Sequence, residues 1–236
     1  MSMSTPHPVV TNEEWLLARK ELLAQEKRFS HLREQLSEQR RALPWRRVEQ
    51  QYTFQSADGQ RSFSELFAGK SQLVVYHLMF APEWDAACTN CSFWGDGFSH
   101  SLAHLAHRDV SFAAISRAPV PKLAAYAKRM GWTFPWLSSE GSSFNFDMGV
   151  SFTEQQLASQ ERSYNYGSVR PQRSDLPGFS VFLQREPGVV FHTYSCFGRG
   201  IDMMNATYQI IDLVPKGRDE AEGIMRWLRR HDEYEG

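Results

Sequence analysis

The sequence predicts an α/β fold with a central mixed β-sheet covered by helices on both faces. Three observations carry that prediction. Residues 72–80 ("QLVVYHLMF") and 110–115 are apolar runs of strand length, rich in β-branched and aromatic residues, as strands buried on both faces require. Each is followed by a helical stretch, so strand and helix alternate and the strands they join run parallel. Residues 179–183 and 189–194 then flank the turn "QREPG", a hairpin signal that adds antiparallel strands.

Along the chain, residues 12–42 read as one long helix. Asn12 or Thr11 caps it, Glu13 and Glu14 complement its dipole, and Pro44 ends it. Leu16, Leu22, Leu23, Phe29, Leu32 and Leu36 recur at roughly helical spacing. The helix is expected to pack on its own domain, although a helix of this length could also pack on a second subunit and build a homodimer. Residues 51–55 alternate as a strand, "ADGQ" turns, and "SFSELFAGK" gives a short helix. After the run at 72–80 a helix is expected over 91–107. Pro119 and Pro121 then open a helix that stops at Gly131, and "WTFPWLSS" supplies a third strand. Residues 155–178 show no periodicity and read as a surface insertion anchored by Tyr164 and Tyr166. The chain closes on a C-terminal helical extension of one or two helices. The domain division is residues 1–48 as an N-terminal helical extension and 49–236 as the main domain.

Composition narrows the function. With 42% hydrophobic and 22% charged residues the chain can bury a sizeable core, and a net charge of -1 creates no field for nucleic acid or an anionic membrane. The start shows no basic region followed by an apolar one, and the longest apolar run is too short to span a bilayer, so a soluble, cytoplasmic protein is expected. Three cysteines are an odd set for a disulfide framework.

Two of them, Cys88 and Cys91, form C-x-x-C in "EWDAACTNCSFWGD", where the chain leaves a buried strand and enters a helix. That edge of an α/β sheet is where functional sites collect. A cysteine at the first helical turn is a thiolate near neutral pH, because unpaired amides favour the anion. Cys88 is therefore the expected nucleophile and Cys91, one turn deeper, the resolving thiol. A C-x-x-C beside a β-α-β pattern reads as thioredoxin-like. Two other readings stay open. A copper or zinc site would need Cys88, Cys91, Cys196 and His192, with His77, His104 and His107 as further donors. Alternatively, both thiols are inert.

The stretches "LVVYHLMF", "CTNCSFWGDGF", "HLAHRDVSFAAISRAP", "YAKRMGWTFPWLSS" and "VFHTYSCFGRGIDMMNATYQIIDLVPKGRDE" carry a resemblance that covers almost the whole chain. It resembles the bacterial thioredoxin-like family catalogued as domain of unknown function 899, described as predicted dithiol-disulfide oxidoreductases. The resemblance implies a thioredoxin fold with extensions and thiol–disulfide exchange. No organic cofactor is required, and the partners are protein or small-molecule thiols and disulfides. Thioredoxin folds place a proline, usually cis, before the strand facing the cysteine pair; Pro177 fits and is expected against Cys88 and Cys91. Arg117 ends the second strand and either stabilises a thiolate or pairs with a surface acid. Trp84 and Trp94 flank the pair as core residues or as an apolar contact surface for a partner. Asp96 is a candidate proton acceptor near Cys91. Thr89 and Asn90 between the cysteines, and Ala87 before them, depart from the thioredoxin pattern. Cys196 reads as a local substitution. Residues 52–82 also resemble the opening of peroxiredoxins, which implies a thiol peroxidase as the alternative. There, however, a threonine commonly stands three residues before the cysteine, and here that residue is Asp85. The remaining alternative is a non-enzymatic module binding a partner through its N-terminal helix.

Overall fold

The computed structural model describes residues 7–159 and 163–235. It comprises two compact units, one ending at Pro44 and one beginning at Trp45. The first is helix α1 (Asn12–Arg41). Its start is a capping box: Thr11 Oγ1 accepts from the Glu14 amide, and the Glu14 carboxylate accepts from the Thr11 amide at 2.9 Å. Arg40 and Arg41 occupy the last turn, where cations oppose the helix dipole. No residue of α1 is buried, so Leu22, Phe29 and Leu32 are exposed rather than packed in a core.

The second unit holds, in chain order, β1 (Arg46–Arg47), β2 (Thr53–Ser56), β3 (Gly59–Ser62), β4 (Gln72–His77), α2 (Thr89–Gly95), α3 (Leu102–His107), β5 (Val110–Ser116), α4 (Val120–Met130), β6 (Trp136–Ser138), α5 (Phe144–Asp147), α6 (Glu154–Ser159), β7 (Gly178–Glu186), β8 (Val189–Phe197) and α7 (Ala206–Ile211). The strands form one sheet in the order β1-β8-β7-β4-β5-β6-β2-β3. β4, β5 and β6 run parallel, while β7 is antiparallel to β4 and β8 is antiparallel to β7. The sheet is mixed and helices flank it, a thioredoxin-like architecture. β4 sits at its centre, and its side chains alternate between two cores as a strand's period of two dictates. Leu73 and Val75 enter one core; Val74 and Tyr76 enter the other, together with Cys91, Trp94 and Cys196. Tyr76 stacks on Phe179 with ring centroids 4.6 Å apart, and Phe98 meets both edge-on.

Several elements differ from expectation. β4 ends at His77, yet Leu78, Met79, Phe80 and Ala81 stay buried as an irregular continuation that bonds to β5 and the cysteine loop. Leu78 N donates to Ile115 O at 3.1 Å and Cys88 N to Met79 O at 3.0 Å. The helix expected over 91–107 is split into α2, a 3-10 turn at Ser99–Ser101 and α3. Gly95 and Gly97 weaken the helix there, and Phe98 is drawn between Tyr76, Phe112 and Phe179. Gly95 is also a packing requirement, because a Cβ there would stand 2.7 Å from the Trp132 ring. β1 and β3 went unread: two residues on a sheet edge and "GQRS" after a turn carry no apolar pattern. Both tyrosine anchors of the 155–178 segment hold. Tyr164 Oη donates to Pro177 O and accepts from Gly198 N, while Tyr166 Oη donates to Ser195 O at 3.0 Å. The C-terminal extension is more broken than two helices. After α7, Pro215, Gly217 and Gly223 interrupt helical order until a 3-10 turn at His231–Glu233. Among the described residues, no helix is long and apolar enough to cross a membrane.

Candidate active site

The cysteine pair lies just beyond the C-terminal end of central strand β4. Cys88 occupies the N-cap of α2 with extended backbone (φ -54°, ψ 127°), and Cys91 lies in the first turn. Cys88 is half-buried, Cys91 is 2% exposed, and none of the three cysteines is in a disulfide. The turn is fixed from several sides. Ser92 N and Ser92 Oγ both donate to Cys88 O at 3.0 Å, and Tyr76 Oη donates to Cys91 O at 3.1 Å. Arg230, from the far end of the chain, donates Nη2 to Ala87 O at 2.9 Å and Nε to Tyr126 Oη at 2.6 Å. Tyr126 Oη in turn shares a 2.8 Å hydrogen bond with Ser92 Oγ. Backbone on both sides of Cys88 is thus tied to α4 and to the C-terminal tail.

The two thiols are driven apart in acidity. The Cys91 thiol donates to Cys88 and lowers the Cys88 pKa to about 6, against the opposing effect of burial; the Cys91 and Asn90 amides and the Arg173 charge add to the lowering. Cys91 is pushed well above the ordinary thiol range, first by burial and then by its hydrogen bond to Cys88 and the Cys88 charge. At neutral pH this favours the thiolate on Cys88 and the protonated thiol on Cys91.

This asymmetry has a direct test. Because only the thiolate reacts, alkylation of Cys88 by iodoacetamide should rise with pH and level off just above pH 6 in the folded protein. In denaturant the same peptide should follow the ordinary thiol profile, still rising near about pH 8.5. Peptide mass mapping across a pH series reads both curves; coincident curves would refute the asymmetry.

A cleft of about 340 Å³ opens on Cys88 and reaches Cys91. Met79, Trp94, Leu176, Ile201, Tyr208 and Ile224 give it apolar walls, and Pro177 lies among them. Pro177 therefore does share the cysteine site, but its peptide bond is trans, since the described residues contain no cis bond. The chain enters β7 held on both sides, with Leu176 N donating to Val150 O at 2.8 Å and Pro177 O accepting from Tyr164.

Arg117 does not reach the thiolate. Its guanidinium forms a bidentate pair with Asp175 at 2.8 and 2.6 Å, and Asp175 is a buried acid rather than a surface one. Ser151 and Ser174 also donate to the Asp175 carboxylate. Asp96 is likewise engaged elsewhere, accepting from Trp132 Nε1 at 2.8 Å and pairing with His231 Nδ1 at 2.8 Å. Trp94 is buried in the core, with Nε1 donating to Ile201 O at 3.0 Å, so it lines the cleft instead of an outer contact surface. Trp84 is half-buried against the same core.

The metal alternative is not assembled. Among the described residues, no three His, Cys, Asp or Glu side chains converge as ligands. His192 Nε2 lies 2.7 Å from Ser195 Oγ. His77 Nε2 bonds Ser180 Oγ at 2.8 Å in the opposite core, where burial lowers its pKa to about 3. His104 and His107 are exposed on α3. Cys196 is buried on β8, paired in register with Phe179.

Sequence reading missed Arg173, Tyr76, Tyr126 and Arg230. Arg173 lies in the segment without periodicity, and Arg230 acts across 143 residues, so no local pattern marks either. Tyr76 was legible only as an apolar strand residue.

No curated protein matches the sequence. Among solved structures, the chain is similar to peroxidoxin BcpB from Mycobacterium tuberculosis at 19% identity, covering 72% of this chain and 97% of that one, with a TM-score of 0.45. It is also similar to peroxiredoxin Q from Xanthomonas campestris at 13% identity, covering 66% and 86%, with a TM-score of 0.46. A hypothetical protein from Sinorhizobium meliloti 1021, SMc02350, matches at 15% identity, covering 64% and 73%, with a TM-score of 0.38. The sequence model of one family, "Bacterial protein of unknown function (DUF899)", matches residues 4–234, nearly the whole chain, and the protein therefore belongs to that family.

Proposed function

We propose that this protein is a dithiol–disulfide oxidoreductase, with Cys88 as nucleophile and Cys91 as resolving thiol. The observation that carries the reading is the opposed acidity of two adjacent sulfurs, one facing a cleft and one buried beneath it. In the first step the Cys88 thiolate attacks a substrate disulfide. A Cys88–substrate bond forms, the substrate S–S bond breaks, and half of the substrate leaves as a thiolate. That step removes the negative charge on Cys88, which is one of the causes holding Cys91 protonated. Cys91 then loses its proton and attacks the Cys88 sulfur. The second half leaves as a thiolate, and two electrons have passed to the substrate. A thiol or dithiol protein returns the pair to its reduced form.

Peroxide reduction at the same thiolate expels hydroxide, which calls for a donor beside the sulfur to stabilise it. Arg117 is committed to Asp175, whereas Arg173 lines the cleft with Cys88 and its charge acts on that sulfur, so the relative turnover of peroxide and disulfide decides between the two reactions.

The test is mild oxidation of the purified protein with an organic disulfide, alkylation and peptide mapping, repeated after reduction. A reversible Cys88–Cys91 bridge with Cys196 alkylated throughout is the expected result. Hydrogen peroxide consumed faster than disulfide would assign a peroxidase instead, and both thiols remaining alkylatable would remove the redox reading.

A further inference from the structure

The cleft over Cys88 has a charge that its walls leave unanswered. Three arginines line it, Arg173, Arg199 and Arg218, with Asp202 as the acid among them. Arg199 and Arg218 both pair with Asp202, at 3.0 and 3.1 Å, and Arg218 also pairs with Asp212 at 2.7 Å while stacking on the Tyr208 ring. Those two are consumed by the fold. Arg173 is exposed and, among the described residues, makes no hydrogen bond or ion pair. A guanidinium with no hydrogen bond or ion pair among the described residues, beside a sulfur on which its charge already acts, is a recognition element for an anion, and its planar fork suits a carboxylate.

The rest of the cleft defines the body of the ligand. Its volume of about 340 Å³ falls at the lower end of small-molecule sites, about 300–1,000 Å³. Met79, Leu176, Ile201 and Ile224 supply aliphatic walls, and Trp94 and Tyr208 supply aromatic ones. An apolar pocket with one cation beside the reacting sulfur is complementary to an amphipathic molecule of matching shape.

We infer that the substrate class is a small organic disulfide with an apolar or aromatic body and a carboxylate, the carboxylate held by Arg173 while Cys88 attacks the disulfide sulfur. This inference rests on the dithiol reading above and specifies its substrate. Atoms and electrons balance as in that reading: the Cys88–sulfur bond replaces the substrate S–S bond, and each half departs as a thiolate.

The probes are two aromatic disulfides that differ in charge. Dithiobis(2-nitrobenzoate) carries carboxylates; dithiodipyridine is neutral. The first releases a chromophoric thiolate and the second a chromophoric thiopyridone, so pre-reduced protein can be followed in a single turnover by stopped flow, with peptide mapping confirming Cys88 as the site. Above pH 7 the Cys88 thiol is already ionised, which removes differences in thiolate fraction from the comparison. The quantity read is the ratio of the two rate constants, anionic over neutral. Arg173→Gln is expected to lower that ratio about tenfold, the scale of one lost charge-assisted hydrogen bond. Arg173→Lys should keep much of the preference, and Arg173→Glu should depress it further. A ratio unchanged in all three variants, or equal slowing of both reagents, would overturn the assignment of Arg173 as a carboxylate-binding residue while leaving the dithiol chemistry standing. If neither reagent modifies Cys88 in the unsubstituted protein, the dithiol reading itself fails, and the substrate assignment with it.

Discussion

Cys91→Ser should stall the protein as a mixed disulfide on Cys88, and Cys88→Ser should abolish disulfide exchange altogether. The two variants are unequal because the two sulfurs are. Cys88 faces the cleft as a thiolate, so it performs the first attack unaided. With serine at position 91 no thiol stands in the first turn of α2 to attack the Cys88 sulfur, and the first covalent complex persists. In the reverse variant, Cys91 is 2% exposed and held protonated by burial, so it cannot replace the missing nucleophile. Turnover of an organic disulfide in the presence of excess reductant should fall at least about a thousandfold for Cys88→Ser, the scale on which removing a nucleophile acts. Cys91→Ser should give a stoichiometric adduct on Cys88, seen by intact mass and removed by dithiothreitol. One consequence separates this pair from two inert thiols. Cys91→Ala, which leaves no donor at that position, deletes the hydrogen bond that contributes most to lowering the Cys88 pKa, so its alkylation profile should shift to higher pH. An adduct on Cys91 in the Cys88→Ser protein, formed at a comparable rate, would reverse the assigned roles.

What the sequence revealed and what it concealed divide along a physical line. The strands at 72–80 and 110–115 and the hairpin after 178 were legible because burial writes itself as continuous apolar runs. Gly131 and the prolines at 119 and 121 marked the ends of α4 correctly because helix termini have local chemistry. The position of the cysteine pair, at a strand end and in the first turn of a helix, was legible for the same reason, since strand end, spacing and first turn are all local. Its surroundings were not. Arg230 reaches Ala87, Arg117 reaches Asp175 and Trp132 reaches Asp96 across 143, 58 and 36 residues, contacts set by the fold and invisible to any window of sequence. Arg117 was expected at the sheet edge and Asp96 as a proton acceptor near Cys91, and each instead engages a partner elsewhere, Asp175 for the first and Trp132 with His231 for the second. The partners that hold the chain around Pro177, Tyr164 and Val150, are likewise supplied by tertiary packing.

The most damaging substitution away from the cysteines should be Asp175→Ala. Asp175 is 3% exposed and receives four hydrogen bonds: two from Arg117, one from Ser151 and one from Ser174. Removing the carboxylate strands the Arg117 guanidinium, whose side chain is 17% exposed and packs over the Phe146 ring at 5.3 Å. Breaking one partner of a buried pair costs about 3–5 kcal/mol. Since Arg117 keeps some access to water, the lower end, about 3 kcal/mol, is expected here. In urea, with a slope of about 1–3 kcal/mol per molar, that loss moves the unfolding midpoint down by at least about 1 M. The partner variant distinguishes the pair from simple loss of packing: Arg117→Met together with Asp175→Leu removes both charges and should recover most of the stability. The effect should also reach the site. Asp175 anchors the stretch that brings Arg173, Leu176 and Pro177 to the cleft, and its neighbours Ser174 and Leu176 pair with the backbone of Phe152 and Val150 at 2.8 Å. Loosening that stretch removes a wall from over Cys91. Under native conditions Cys91 should then alkylate measurably faster in Asp175→Ala than in the unsubstituted protein, while the double variant keeps it protected. Equal protection of Cys91 in all three proteins would show that the ion pair stabilises the fold without shaping the cleft.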